Sequence, residues 1–66
     1  MIFVYPELDY SEKVESFEEL KAVVYKLHND FDLRGSNWDW DGAELLEDNC
    51  VDVIGRVAYN GRVIKE

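Results

Sequence analysis

The strongest constraint on the fold is an amphipathic segment that follows a helix-start signal. Ser16 is followed three residues later by Glu19, the spacing of a capping box, in which the Ser16 hydroxyl accepts from the Glu19 amide and the Glu19 carboxylate accepts from the Ser16 amide. Apolar side chains then recur at steps of three and four residues: Phe17, Leu20, Val24, Leu27 and Phe31. This spacing predicts a helix over residues 17–31 with one apolar stripe, which needs a second layer to cover it.

Strand signals at the two ends of the chain supply that second layer. Residues 2–5 are apolar and rich in strand formers, which predicts a strand. Residues 51–59 and 62–65 flank the dipeptide Asn60-Gly61, which is typical of a type I′ turn because both of its central residues take a positive φ. The sequence therefore predicts a hairpin at the C-terminal end.

The segment before this hairpin is open to two interpretations. The apolar residues of 43–58 also fit the spacing of a second helix. We favour strand after Cys50 because the residues that follow are mostly β-branched and Gly55 interrupts the run. Residues 42–48 are then expected to form a short helical turn, and residues 7–15 a connection of negative charge with room for one extended stretch.

The predicted fold is one α+β domain over residues 1–66, with a small, three-stranded, mostly antiparallel sheet and the main helix packed across it. The helical stripe is expected to pack on strand residues, namely Ile2, Val4, Val53 and Val57. His28 lies toward the helix end, where the macrodipole favours a cation, and is expected to be solvated. Cys50 has acids nearby, which raise a thiol pKa, and is expected to be a half-buried structural thiol.

The composition is poor in groups that carry out catalysis. The chain has one histidine, one cysteine and serines only at positions 11, 16 and 36, which leaves no nucleophile, base and orienting group for a triad. No glycine-rich phosphate loop is present, and no apolar run exceeds five residues, too short for a membrane span or a signal peptide. We therefore expect a cytoplasmic protein that is not an enzyme, uses no cofactor and binds no membrane.

Residues 37–48 trace the outline of an EF-hand calcium loop, with oxygen-bearing side chains at alternate positions and Gly42 at the sixth. Position one is Asn37 and position twelve is Asp48, where these loops carry an aspartate and a bidentate glutamate. The competing interpretation is that Asn37 or Asp41 caps a short helix. We favour capping, so no metal site is expected, and a calcium-binding module remains the alternative.

The charge is large and unevenly distributed. The chain has 15 Asp and Glu against 7 Lys and Arg, a formal net charge of -8, and both 7–19 and 37–52 are strongly acidic. Exposed aromatic groups between acids resemble the pattern of phosphates and bases that nucleic-acid-binding proteins recognise. The candidate partner-binding residues are two aromatic anchors, Trp38 and Trp40, a phosphate-like row, Asp39, Asp41, Glu44, Glu47 and Asp48, and a secondary patch, Glu12 and Glu15.

In size, compactness, lack of catalytic groups and a pI near 4.4, the chain resembles the DNA-mimic inhibitors encoded by phages, the anti-CRISPR and anti-restriction proteins. The segment 37–43, Asn-Trp-Asp-Trp-Asp-Gly-Ala, is similar to segments of small bacterial and phage proteins. The resemblance implies an inhibitor that works in the host cytoplasm. Its acidic face would occupy the basic, nucleic-acid-binding surface of a protein such as a bacterial defence effector, without binding nucleic acid itself. An acidic interaction domain unrelated to mimicry stays open as an alternative.

Overall fold

The computed structural model describes residues 1–49 and 51–65. Its elements, in chain order, are β1 (Ile2–Tyr5), β2 (Tyr10–Lys13), α1 (Phe17–Phe31), β3 (Glu44–Leu46), β4 (Val53–Val57) and β5 (Val63–Ile64), with a 3-10 turn (Pro6–Leu8) between β1 and β2. The strands form one antiparallel sheet in the order β2-β1-β3-β4-β5. The predicted α+β class is confirmed, but the sheet has five strands instead of three.

The helix was predicted with the correct bounds and the correct N-cap. The Ser16 hydroxyl accepts from the Glu19 amide at 3.1 Å, which satisfies one of the free donors of the first turn. The Glu19 carboxylate accepts from the amide of Glu15 at 3.3 Å, one residue before the predicted donor. Leu20, Val24 and Leu27 of the stripe are buried, whereas the two phenylalanines at its ends are about half exposed.

The core lies between α1 and one face of the sheet. Its buried members are Phe3, Tyr5, Val14, Leu20, Val24, Leu27, Trp38, Ala43, Leu45 and Val57. Successive side chains of a strand point to opposite faces, so burial of Phe3 and Tyr5 places Ile2 and Val4 on the other face. The prediction that Ile2 and Val4 pack against the helix was therefore wrong. Val57 is buried as predicted, and Val53 is about half exposed, next to the irregular β3–β4 register.

Two segments that were not predicted as strands complete the sheet. Residues 42–48 contain β3 instead of a helical turn, and residues 7–15 contain β2. β3 lies in the middle of the sheet, where β1 pairs with it on one side and β4 on the other. Pairing on both sides outweighs the helical preference of the alanine and leucines in this segment.

The C-terminal hairpin was predicted correctly, but its turn type was not. Ala58 donates to the Arg62 carbonyl at 2.8 Å, and Gly61 donates to the Ala58 carbonyl at 2.9 Å. Gly61 has a φ of 84°, and Asn60 is not among the residues with a positive φ. The loop therefore has three residues and ends on a left-handed glycine, instead of forming a type I′ turn.

Replacing Gly61 by alanine should lower the free energy of unfolding by about 1–2 kcal/mol, the cost of a left-handed conformation for a residue with a Cβ. The added Cβ would also lie 2.8 Å from the Lys21 Cγ atom. The matched control is Gly35→Ala, because a Cβ there has no atom within 4 Å. Chemical denaturation of both variants measures the difference, and equal stability would show that the loop tolerates an ordinary residue.

No helix in the described part of the chain is both long enough and apolar enough to cross a membrane. Cys50 and Glu66 lie outside the described residues. The half-buried thiol expected at Cys50 therefore stays a prediction.

Candidate protein-interaction surfaces

The two tryptophans proposed as anchors have opposite environments. Trp38 is only 3% exposed; its indole N–H donates to the Val57 carbonyl at 2.9 Å, and its ring lies 4.8 Å from that of Tyr5. Trp40 is 48% exposed, with its indole N–H on the Gly35 carbonyl at 3.1 Å. Trp38 is therefore a core residue, which removes it from the candidate anchors, and Trp40 is the tryptophan that a partner can reach.

Asp39 holds the turn that leads into β3. Its carboxylate accepts from the Gly42 amide at 2.9 Å, and its own amide donates to the Tyr5 hydroxyl at 2.8 Å. Burial raises the pKa of Tyr5, although the hydrogen bond from Asp39 acts in the opposite direction. A Cβ on Gly42 would lie 2.2 Å from an Asp39 carboxylate oxygen. The Asp39 carboxylate is therefore engaged in a hydrogen bond with the backbone of its own turn.

The oxygens of the EF-hand-like segment point to separate partners. Asn37 accepts from the Arg34 amide, Asp41 lies 3.4 Å from the Arg56 guanidinium, and Asp48 lies 2.6 Å from the Met1 amino group. β3 separates the glycine of the segment from its twelfth position. Within residues 1–49 and 51–65, no group of three or more His, Cys, Asp or Glu side chains could hold a metal ion. The geometry gives the calcium alternative no support.

The predicted row of carboxylates is divided between the two ends of β3. Asp39 and Asp41 precede the strand, whereas Glu47 and Asp48 follow it. Glu44, within the strand, lies opposite Arg56 of β4 in the backbone ladder, and the Arg56 guanidinium contacts Asp41. The fold thus brings a basic residue beside a segment that has none in its own sequence.

The carboxylates converge at one end of the sheet, which we call the acidic end: Glu15, Glu47, Asp48 and Asp52. Ile2 of β1 is paired with Lys13 on β2 and with Leu46 on β3, so the chain leaves both neighbouring strands on the same side. Asp52 belongs to this group because its carbonyl accepts from the Glu47 amide at 2.9 Å. The two acidic segments of the sequence therefore meet here, on either side of β1.

All four side chains of the acidic end are exposed. Lys13 lies 3.9 Å from Glu15, and the Met1 amino group hydrogen-bonds Asp48, which lowers the pKa of Asp48 below its ordinary value. Glu12, on the edge strand β2, accepts from the Tyr10 hydroxyl. All three interactions leave the carboxylates open to solvent.

Val51 is an apolar side chain within the acidic end and was not identified from the sequence. It is 76% exposed, and its amide donates to the Asn49 side chain at 2.9 Å, which fixes the turn before β4. The sequence feature that could have identified Val51 is a valine with acids and an asparagine nearby. It was missed because the strand predicted from residue 51 onward placed Val51 in the sheet. Val51 replaces Trp38 as a candidate anchor.

His28 lies in an aromatic cluster. The prediction that its side chain is solvated was therefore wrong. Its ring stacks on Tyr59 at 4.0 Å and meets Tyr25 and Trp38 edge-on at 5.4 and 5.6 Å. The Nε2 atom is buried and has no hydrogen-bond partner among residues 1–49 and 51–65. Burial lowers the pKa of His28, and a backbone hydrogen bond at Tyr59 partly offsets this effect. The cluster therefore favours a neutral imidazole.

Acidification should destabilise the fold through His28. Its pKa is lowered in the folded state and returns to about 6.5 in the unfolded chain, so the unfolded state binds more protons and stability falls as the pH drops below about 6.5. Melting temperatures measured from about pH 8 to about pH 5.5, above the range of most carboxylates, test this effect. The variant His28→Phe keeps a ring beside Tyr59 without a titrating group and should lose less stability, whereas equal losses would exclude His28 as the cause.

Comparisons of the chain with protein-family models, with curated proteins and with solved structures found no match. No relative therefore assigns a function to any of these residues, and the candidate residues come from the surfaces of this chain.

Proposed function

We propose that the protein is a non-enzymatic binding protein whose acidic end occupies a basic surface of a protein target, a surface that otherwise binds nucleic acid. The observation that carries the proposal is the convergence of two acidic segments, distant in sequence, at one end of the sheet. Surfaces of opposite charge steer partners together and fix their orientation. The target would be an inhibited effector or a regulated protein of the same cell.

Repulsion within the acidic end favours a partner over solvation alone. Two like charges about 8 Å apart repel by about 0.5 kcal/mol even at the dielectric constant of water. Lys13 and the Met1 amino group each contact one carboxylate, Glu15 and Asp48 respectively. A basic target would relieve the remaining repulsion, and the exposed Val51 side chain would add an apolar contact within the charged surface.

Mimicry of nucleic acid is a more specific hypothesis than charge complementarity. It requires that the target cannot bind this protein and nucleic acid at the same time. Nucleic-acid-binding surfaces are rich in Lys and Arg that contact phosphates, and a dense group of exposed carboxylates offers those cations a similar set of anions. The competing function, an acidic interaction domain unrelated to mimicry, predicts a partner that binds both at once.

The test is capture of the partner from the host, followed by competition with duplex DNA at two salt concentrations. The double variant Glu47→Lys and Asp48→Lys should weaken binding at least about tenfold. The matched control, Glu18→Lys and Asp30→Lys, makes the same change in net charge at exposed positions of α1 and should have a much smaller effect. Equal losses would indicate net charge as the cause, and simultaneous binding of DNA and this protein would exclude mimicry.

A further inference from the structure

The surface along the edge strand β5 has the opposite charge to the acidic end. Two open depressions of about 580 and 320 Å³ lie beside this strand and share Arg62, Val63 and Lys65 as lining residues. Lys21 of α1 also lines the smaller one, and among residues 1–49 and 51–65 no aspartate or glutamate lines either of them. Three of the seven basic residues of an acidic chain are thus gathered at one groove, which we call the β5 groove.

The positive charges of the β5 groove are not neutralised within the described chain. In residues 1–49 and 51–65, the ion pairs involve other cations, namely Lys13, Arg34, Arg56 and the Met1 amino group. The side chains of Lys21, Arg62 and Lys65 extend into solvent from exposed residues. The groove therefore offers a local positive field to an anionic ligand, and a Debye length of about 8 Å at physiological ionic strength limits the repulsion from distant acids.

Exposed aromatic side chains flank the same groove. Trp40 lines the larger depression and Phe17 the smaller one, and they are 48% and 52% exposed. The hydrogen bond from the Trp40 indole to the Gly35 carbonyl restricts the ring. Large apolar side chains that are held in place beside cations are typical contact residues of binding sites.

Within the described part of the chain, the backbone of the edge strand β5 has groups that no other strand pairs. Ala58 donates to the Arg62 carbonyl, whereas the preceding residue, Val57, donates to the Ala43 carbonyl on the side away from β5. In an antiparallel ladder hydrogen-bonded pairs alternate with non-hydrogen-bonded ones, so Val63, opposite Val57, directs its N–H and C=O away from β4. These groups face the open edge of the sheet, because β5 is the last strand in the sheet order.

We infer that the β5 groove binds an extended acidic peptide that carries an apolar or aromatic side chain and adds as a strand to β5. The backbone N–H and C=O of Val63 can hydrogen-bond to the backbone of an added strand. The three cations can form ion pairs with the carboxylates of the peptide. Trp40 and Phe17 can pack against the apolar side chain of the peptide. This site goes beyond the proposed function, since its ligand is acidic and its residues are not those of the acidic end.

The test uses the full chain and a synthetic peptide of about eight residues that alternates glutamate with phenylalanine, a length sufficient for one strand. NMR titration should give saturable shifts of the Val63 and Lys65 amides, and the fluorescence of Trp40 should change. The variant Arg62→Glu with Lys65→Glu should weaken binding at least about tenfold. The control Lys26→Glu with Arg34→Glu, which makes the same change in charge on α1 and the segment after it, should weaken it far less.

Several outcomes would overturn the inference. These are the absence of saturable shifts, equal weakening by the control variant, or tighter binding of a single-stranded oligonucleotide than of the peptide. A dimer in sedimentation that the variant Arg62→Glu with Lys65→Glu abolished would overturn it as well. The variant Glu47→Lys with Asp48→Lys should retain peptide binding, so that failure of this site and failure of the acidic end are distinguishable. Melting curves of every variant confirm that it is folded.

Discussion

Replacing Leu20 or Leu27 by alanine should lower the free energy of unfolding by about 2–5 kcal/mol, the usual cost of emptying a buried leucine site. Both side chains are almost completely buried between α1 and the sheet. A domain of this length has a total stability of roughly 3–10 kcal/mol, so either substitution should remove a large share of it. Chemical denaturation monitored by circular dichroism measures the loss.

The control for these variants is Phe31→Ala at the end of the same helical stripe. Phe31 is about half exposed, so its truncation should cost about 1 kcal/mol or less. If Leu20→Ala and Phe31→Ala were equally stable, the buried part of the stripe would have been assigned to the wrong residues.

Truncating Trp38 to alanine should cost about 3–5 kcal/mol, as is typical of large buried aromatic residues. The variant loses the ring contacts with Tyr5 and Tyr59, and it leaves the Val57 carbonyl without the indole donor. Trp40→Ala, two positions away, loses one hydrogen bond at an exposed site, which is worth about 1 kcal/mol. Thermal melting of the two variants measures the contrast.

Tryptophan fluorescence gives an independent readout of the same pair. Trp38→Phe should leave a spectrum from the exposed indole of Trp40, at longer wavelength than the spectrum that Trp40→Phe leaves from the buried one. Identical spectra, or a more stable Trp38→Ala than Trp40→Ala, would contradict the assignment of the core residue.

The parts of the fold that the sequence predicted are those whose signals are local. The Ser16 cap and the apolar stripe specify α1, and a glycine at the left-handed position specifies the C-terminal hairpin. β3 could not be predicted in this way, because its strand conformation depends on pairing with β1 and β4. The buried face of β1 was equally ambiguous, since every residue from Ile2 to Tyr5 is apolar and periodicity cannot choose between the faces.

The candidate surfaces depend on strand order, which the sequence does not contain. The acidic end exists because β1 lies between β2 and β3, and only this order brings Glu15 close to the residues after Leu46. In the same way, Arg56 reaches Asp41 through pairing of β3 with β4. The excess of acids can be counted from the sequence. The sequence does not show which of those acids hydrogen-bond to the chain's own turns.

The position of β1 in the sheet also has a kinetic consequence. β1 with β2, and β3 with β4 and β5, are antiparallel ribbons with short connections, whereas the ladder that joins them pairs Phe3 with Leu45, about 40 residues away. Closing a loop of that length costs about 2 kcal/mol more than closing a short hairpin, so we expect docking of the two ribbons to limit the folding rate. Until they dock, both inner edges stay open to pairing between molecules, and the time spent in that state governs how readily the chain aggregates during refolding.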